Sequence, residues 1–245
     1  MRNVTISIKG ISIREIDLPS LTFAYLGKKI SGGPMTNYLP RPVTVQADGF
    51  KWTWRPRTED AYGFAETEPF MISQLNGLLP DGGTFVDVGA NIGKYSIRLS
   101  RRASTVWALE PNPKNFCGLV TNIHLNGIQN IIALPIAAWS SRTVLYVSDE
   151  GTRSSVLTSG AHRTLGVRLD EICDFEPDLV KMDVQGAELE GLKGMEKTNA
   201  KRIVVEIHTS LVSVEAVLSM MKERGYRPEE IASGETHRYF VFSLG

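Results

Sequence analysis

Two acidic residues, each near the end of a short apolar run, carry the first chemical signal in this chain. Asp87 lies in Thr84-Phe-Val-Asp-Val-Gly-Ala-Asn-Ile-Gly-Lys-Tyr-Ser96, where Phe85 to Val88 read as a buried strand. Gly89, Asn91 and Gly93 then read as the turn into a helix. A strand, a glycine-bearing turn and a helix start together let a nucleotide-like ligand lie against bare backbone. The glycine spacing is G-x-x-x-G, not the G-x-G-x-x-G of dinucleotide sites, and Asp87 would repel a pyrophosphate. Glu110 ends a second apolar run, Val106-Trp-Ala-Leu-Glu110-Pro-Asn-Pro113, one helix and one turn downstream. A carboxylate at such a strand tip accepts hydrogen bonds from both hydroxyls of a ribose. A ligand with a ribose and an ammonium group but no pyrophosphate suits both acids, and S-adenosylmethionine is such a ligand. The competing reading makes both acids ordinary strand-end turn residues.

On the first reading, Gly89 and Gly93 admit close backbone contact, and Asp87 or a water it orders faces the methionine ammonium. Glu110 binds the ribose, Asn112 touches the adenosine, and Ala137 and Ala138 leave room for adenine. Asn91 tolerates left-handed backbone geometry in the turn. Transfer of a methyl from a sulfonium to an alcohol also needs a base near the transferred group. His208, at the end of the β-branched run Arg202–Ile207, has the chemistry for that role. Lys181 and Asp183 share one face of another strand, and Glu206 on a neighbouring strand is an economical partner for Lys181. Lys181, Asp183 and Glu206 thus join His208 as catalytic candidates, with a structural ion pair as the alternative. One carboxylate is a poor magnesium site, so no metal is expected. Glu188 reads as a helix-start residue with a capping role.

These segments resemble class I S-adenosylmethionine-dependent methyltransferases, and within them the FkbM family. The resemblance rests on Val86-Asp-Val-Gly-Ala-Asn-Ile-Gly93, Ala108-Leu-Glu-Pro-Asn-Pro113 and Asn122-Ile-His-Leu-Asn126. It continues in Val167-Arg-Leu-Asp170 and in Val180-Lys-Met-Asp-Val-Gln-Gly-Ala-Glu-Leu-Glu190, and covers residues 66 to 208. The family pattern has Glu where this chain has Gln185, and Thr where it has Arg168. The resemblance implies O-methylation of a hydroxyl on a small molecule, sugar or glycan, and a closing antiparallel hairpin at the sheet edge. RNA methylation is the alternative within the class, because the 122–126 segment also resembles some tRNA methyltransferases. A noncatalytic cofactor-binding module is the alternative outside it.

Composition narrows the partners. Lys plus Arg and Asp plus Glu both number 27 in 245 residues, so no global charge draws the chain to nucleic acid or an anionic membrane. Hydrophobic content of 42% and charged content of 22% describe an ordinary globular chain. Cys117 and Cys173 make neither a disulfide framework nor a metal cluster, and both read as small buried hydrophobes in a cytoplasmic protein. The first residues alternate apolar and polar types and resemble neither a leader nor a membrane span. The sequence is compatible with a homodimer.

The elements that must hold these residues follow from periodicity. Strand and helix patterns alternate from Thr84 onward, which predicts a mostly parallel sheet with helices on both faces. An α/β Rossmann-like domain over 65–245 is expected, preceded by a β-rich extension over 1–64. Residues 4–16 read as a hairpin, 27–42 as a long loop able to cover a site, and 43–57 as strand with Trp52 and Trp54 in packing roles. Residues 149–163 lack apolar period and read as a mobile loop, with Arg153, Ser154 and Ser155 as possible acceptor contacts.

Overall fold

The computed structural model describes residues 5–8, 11–15, 18–31, 35–64, 69–148, 156–157 and 160–245. Strands β1 (Thr5–Ile8) and β2 (Ile11–Glu15) lead to helix α1 (Leu18–Ser31), then to β3 (Val43–Ala47) and β4 (Phe50–Trp54). Helices α2 (Asp60–Phe64) and α3 (Pro69–Leu78) follow. The alternating part runs β5 (Thr84–Val88), α4 (Lys94–Leu99), β6 (Thr105–Leu109), α5 (Pro113–Leu125) and β7 (Ile131–Leu134). Next come β8 (Ile136–Ala138), β9 (Thr143–Val147), β10 (Val156–Leu157) and β11 (His162–Val167). The chain closes with β12 (Leu179–Met182), α6 (Glu188–Lys193), β13 (Arg202–His208), α7 (Val214–Glu223), β14 (Tyr226–Ser233) and β15 (His237–Leu244).

A seven-stranded sheet ordered β14-β15-β13-β12-β5-β6-β7 forms the centre. Neighbours from β13 through β7 pair parallel, while β15 pairs antiparallel with both β13 and β14. The strand order runs outward in opposite directions from β5 and β12, so the switch point lies between them. Every residue of β12 is buried, as expected for a parallel strand covered on both faces. Its one charged residue, Lys181, sits in register with Asp87 of β5, so each buried charge has an opposite charge beside it.

The first sheet, β1-β2-β3-β4, is antiparallel and does not stand apart. Trp52 and Trp54 are buried in an apolar core that also takes Ile97 of α4, with Ile123 and Ile131 packed against it. Asn122 on α5 accepts a hydrogen bond from Thr53 N at 2.7 Å, and Asn126 accepts one from Lys51 N at 2.8 Å. Arg98 of α4 reaches Asp48 at 2.6 Å and lies 4.9 Å from the Trp52 ring. A third, four-stranded sheet is ordered β10-β9-β11-β8.

Two loop expectations are corrected. Within 27–42, helix α1 extends through Ser31 and a 3-10 turn spans Met35–Tyr38. Gly27 looked like loop composition, but a Cβ there would meet the Tyr38 ring, so this glycine lets the turn lie against the helix. Within 149–163, β10 pairs with β9, and β11 already begins at His162. Arg153, Ser154 and Ser155 lie outside the described residues. Cys173 is buried as expected, whereas Cys117 is exposed on α5. Among the described residues, no helix is long and apolar enough to cross a membrane.

Candidate functional site

The turn after β5 is tied to the tip of β6. Gly89 N and Ala90 N both donate to Leu109 O, at 3.0 and 2.9 Å. Asn91 N then donates to Glu110 Oε2 at 2.7 Å, and Asn112 N to Glu110 Oε1 at 2.9 Å. Gly89, Asn91 and Gly93 all have positive φ, at 82°, 52° and 98°. The space left by the missing Cβ of Gly89 is filled by the carbonyl of Asp183, and that at Gly93 by Ile97 and Leu119. Both glycines therefore admit close neighbours from within the protein. Glu110 is 5% exposed. Burial pushes its carboxyl up to about 7, against the pull of the Asn112 and Asn91 amides and the Asn115 side chain.

Behind this turn lies Asp87, fully buried. Its Oδ2 accepts from Ser96 N at 3.0 Å and Ser96 Oγ at 2.5 Å, which fixes α4 against the strand. Burial raises its pKa, opposed by Lys181 and by the Ser96 bonds. Lys181 Nζ lies 3.7 Å from Asp87 Oδ1, 3.4 Å from Asp183 Oδ2 and 4.8 Å from the centre of the Tyr95 ring. This lysine links the buried acid beneath the cleft to an acid on its wall.

Across the switch point, the ends of β12 and β13 bring three groups together. One ligand-type atom each from Asp183, Glu206 and His208 lies within 4.8 Å of the others. Among the described residues this is the set close enough to hold an ion, although Lys181 already places a fixed cation against Asp183. His208 Nδ1 is 2.7 Å from Glu188 Oε1, and Nε2 is 3.8 Å from Glu206 Oε1. Burial alone would lower the His208 pKa, but the Glu188 hydrogen bond and the charges of Asp183, Glu188 and Glu206 raise it above 6.5.

One cleft collects most of the expected donor residues. Gly89, Asn91, Glu110, Ala137 and Ala138 line it, and so does Asp183, which the sequence offered as a catalytic candidate. Asp87, Gly93 and Asn112 do not, and Asn112 borders a neighbouring cavity instead. Asn112 caps α5, accepting from Lys114 N and Asn115 N, while its amide donates to Ser148 O. Asn115 and Gln185 also line the cleft and were not singled out as ligand contacts in the sequence. Asn115 follows the Asn112 cap by one helix turn, a spacing that could have flagged it. Gln185 takes a left-handed φ of 52° and donates to Asp183 Oδ1 at 3.2 Å, which only the folded turn reveals. A second, broader cavity shares Asn91 and Asn115 with the cleft and is bordered by Arg55, Arg57, Lys114 and Cys117.

The chain is similar to known methyltransferases. A family model described as the methyltransferase FkbM domain matches residues 87–228. The chain is 35% identical over 138 residues to the hexuronic acid methyltransferase AglP of Haloferax volcanii, covering 51% of this chain and 56% of that protein. It therefore spans little more than half the length of that curated relative. An rRNA methylase from Streptococcus thermophilus superimposes with a TM-score of 0.52 at 12% identity, over 72% of this chain and 95% of that one. M. jannaschii TYW2, solved in complex with AdoMet, does so with a TM-score of 0.51 at 14% identity, over 82% of this chain and 84% of that one. At these identities the two structures show the shared class I methyltransferase fold.

Proposed function

The chain belongs to the FkbM methyltransferase family, and from that premise we propose that it transfers a methyl group from S-adenosylmethionine to a hydroxyl of a sugar or other small molecule. The observation that carries this reading is the position of Glu110. It is a buried carboxylate at a strand tip, in the cleft that opens at the switch between β5 and β12. An ionised carboxylate offers about four lone-pair sites. The Asn91 and Asn112 amides and the Asn115 side chain leave Glu110 room for a further donor such as a ribose hydroxyl. Ala137 and Ala138 are small enough to leave the adenine side of the cleft open.

At the other end, Asp183 and Gln185 face the cleft, with the Asp87–Lys181 pair beneath them. Acidic groups there suit a ligand with an ammonium and a sulfonium. S-adenosylmethionine supplies a methyl that is already activated for in-line displacement. The protein's own work is then to align the acceptor oxygen, exclude water and receive a proton. His208 is the group assigned the proton, with Asp183 and Glu206 beside it to orient the acceptor. The Haloferax volcanii relative is named for a hexuronic acid, which supports a carbohydrate acceptor.

Isothermal titration with S-adenosylmethionine, followed by mass spectrometry of products from a carbohydrate and metabolite library with labelled donor, tests the proposal. The expected result is saturable donor binding and a labelled carbohydrate ether. Glu110→Ala should weaken donor binding about tenfold or more, because it removes charge-assisted hydrogen bonds. Folded protein that ignores the donor would sink the assignment.

A further inference from the structure

Glu188 carries a charge that the methyltransferase reading has not used. It is 0% exposed at the start of α6. Its Oε1 accepts from Gly186 N at 3.0 Å and faces His208 Nδ1 at 2.7 Å. Its Oε2 is buried with no hydrogen-bond partner among the described residues. A carboxylate withdrawn from water is costly, and one peptide N–H does not offset that. Among the described residues, the cationic group against it is His208 in its protonated form.

We infer that Glu188 is a positioning residue for proton transfer: it binds His208 Nδ1–H and thereby leaves Nε2 to face the acceptor. The inference rests on the methyltransferase reading above. With Nδ1 held on Glu188, Nε2 lies on the side of Glu206 and Asp183, and Asp183 lines the donor cleft. The acceptor O–H proton passes to Nε2 while its oxygen bonds to the methyl carbon. The carbon–sulfur bond breaks with its electron pair left on sulfur. Nδ1 keeps its own proton, and the new positive charge on the ring is held by the Glu188 carboxylate. An acceptor that is already ionised, such as a carboxylate, has no proton for this arrangement to take, so the role of the pair is specific to hydroxyl acceptors.

A purely structural Glu188 would cap the turn at Gln185 and Gly186, and Glu188→Gln separates the two roles. The glutamine carbonyl can still accept from Gly186 N–H and from Nδ1–H, but the charge is gone. The groups facing His208 are Glu188 from α6, Asp183 from the end of β12 and Glu206 from its own strand, with His237 opposite on β15. A positioning role predicts that Glu188→Gln lowers plateau kcat about tenfold or more and moves the acid limb of the kcat/KM profile to lower pH. Donor affinity and KM should hold. His208→Ala should lower kcat about 100-fold.

If Glu188→Gln keeps the wild-type plateau and pH profile while His208→Ala is impaired, the inference fails and the methyltransferase reading stands. A wild-type enzyme that binds no donor overturns that reading instead. A measurement without any variant fold covers the case where Glu188→Gln does not fold. Nitrogen-15 NMR of the wild-type His208 ring, above its pKa, should show the proton on Nδ1, and a proton on Nε2 would overturn the inference.

Discussion

At the scale of single residues, Glu110 carries the sharpest consequence. Its carboxyl titrates at about 7 because burial disfavours the charge more than its amide donors support it. If Glu110 holds the ribose as proposed, a hydroxyl donates to its ionised form, so donor binding should lower that pKa and release a proton near neutrality. Affinity for S-adenosylmethionine should therefore rise as pH increases through about 7. Titration calorimetry in buffers of different ionisation heat checks this, and Glu110→Gln should flatten the dependence. Without donor the linkage runs the other way. A carboxyl with a raised folded pKa contributes most to stability below its unfolded value of about 4.5, and that contribution is lost as pH rises through about 7.

At the scale of elements, the site depends on how α4 and α5 are fixed to their neighbours. Asn122 is fully buried, accepts from Thr53 N of β4 and donates to Ile92 O at 3.0 Å. Asn122→Ala leaves both backbone groups without that partner and should cost about 1–3 kcal/mol, read from urea denaturation. The segment 122–126 carried a family resemblance in the sequence, and in the fold its two asparagines grip the edge of the first sheet. Gly89 is the comparable point on the β5 turn. Gly89→Ala places a Cβ against the Asp183 carbonyl at a φ of 82°, so the turn must shift. It should weaken donor binding more than it changes the melting temperature of the whole domain, as calorimetry and thermal scans would show.

At the scale of the molecule, the β-rich first sheet and the central domain share one apolar core through Trp52, Trp54, Ile97 and Ile123. Residues 1–64 were legible as strand-rich but read as an appendage, because nothing along the chain announces a core built from distant segments. A shared core predicts cooperative unfolding. In a Trp107→Phe/Trp139→Phe variant, fluorescence reports only Trp52 and Trp54. Its thermal transition should coincide with that seen by far-ultraviolet circular dichroism. A separate, earlier fluorescence transition would show that the first sheet unfolds on its own.

The sequence by itself determined the alternating strand and helix order, the left-handed turn at Gly89 to Gly93 and the strand-tip Glu110. Each depends on local physics: short apolar runs, glycine and asparagine in left-handed backbone, and acids at run ends. Tertiary structure alone decided what those residues touch. Lys181 meets Asp87 because β12 pairs with β5 in that register, across a long crossover. Glu188, read as a cap, reaches His208 because α6 packs beside the end of β13. A charge's partner across a parallel sheet is set by strand order and register, which are nonlocal, whereas a turn is set by the residues within it.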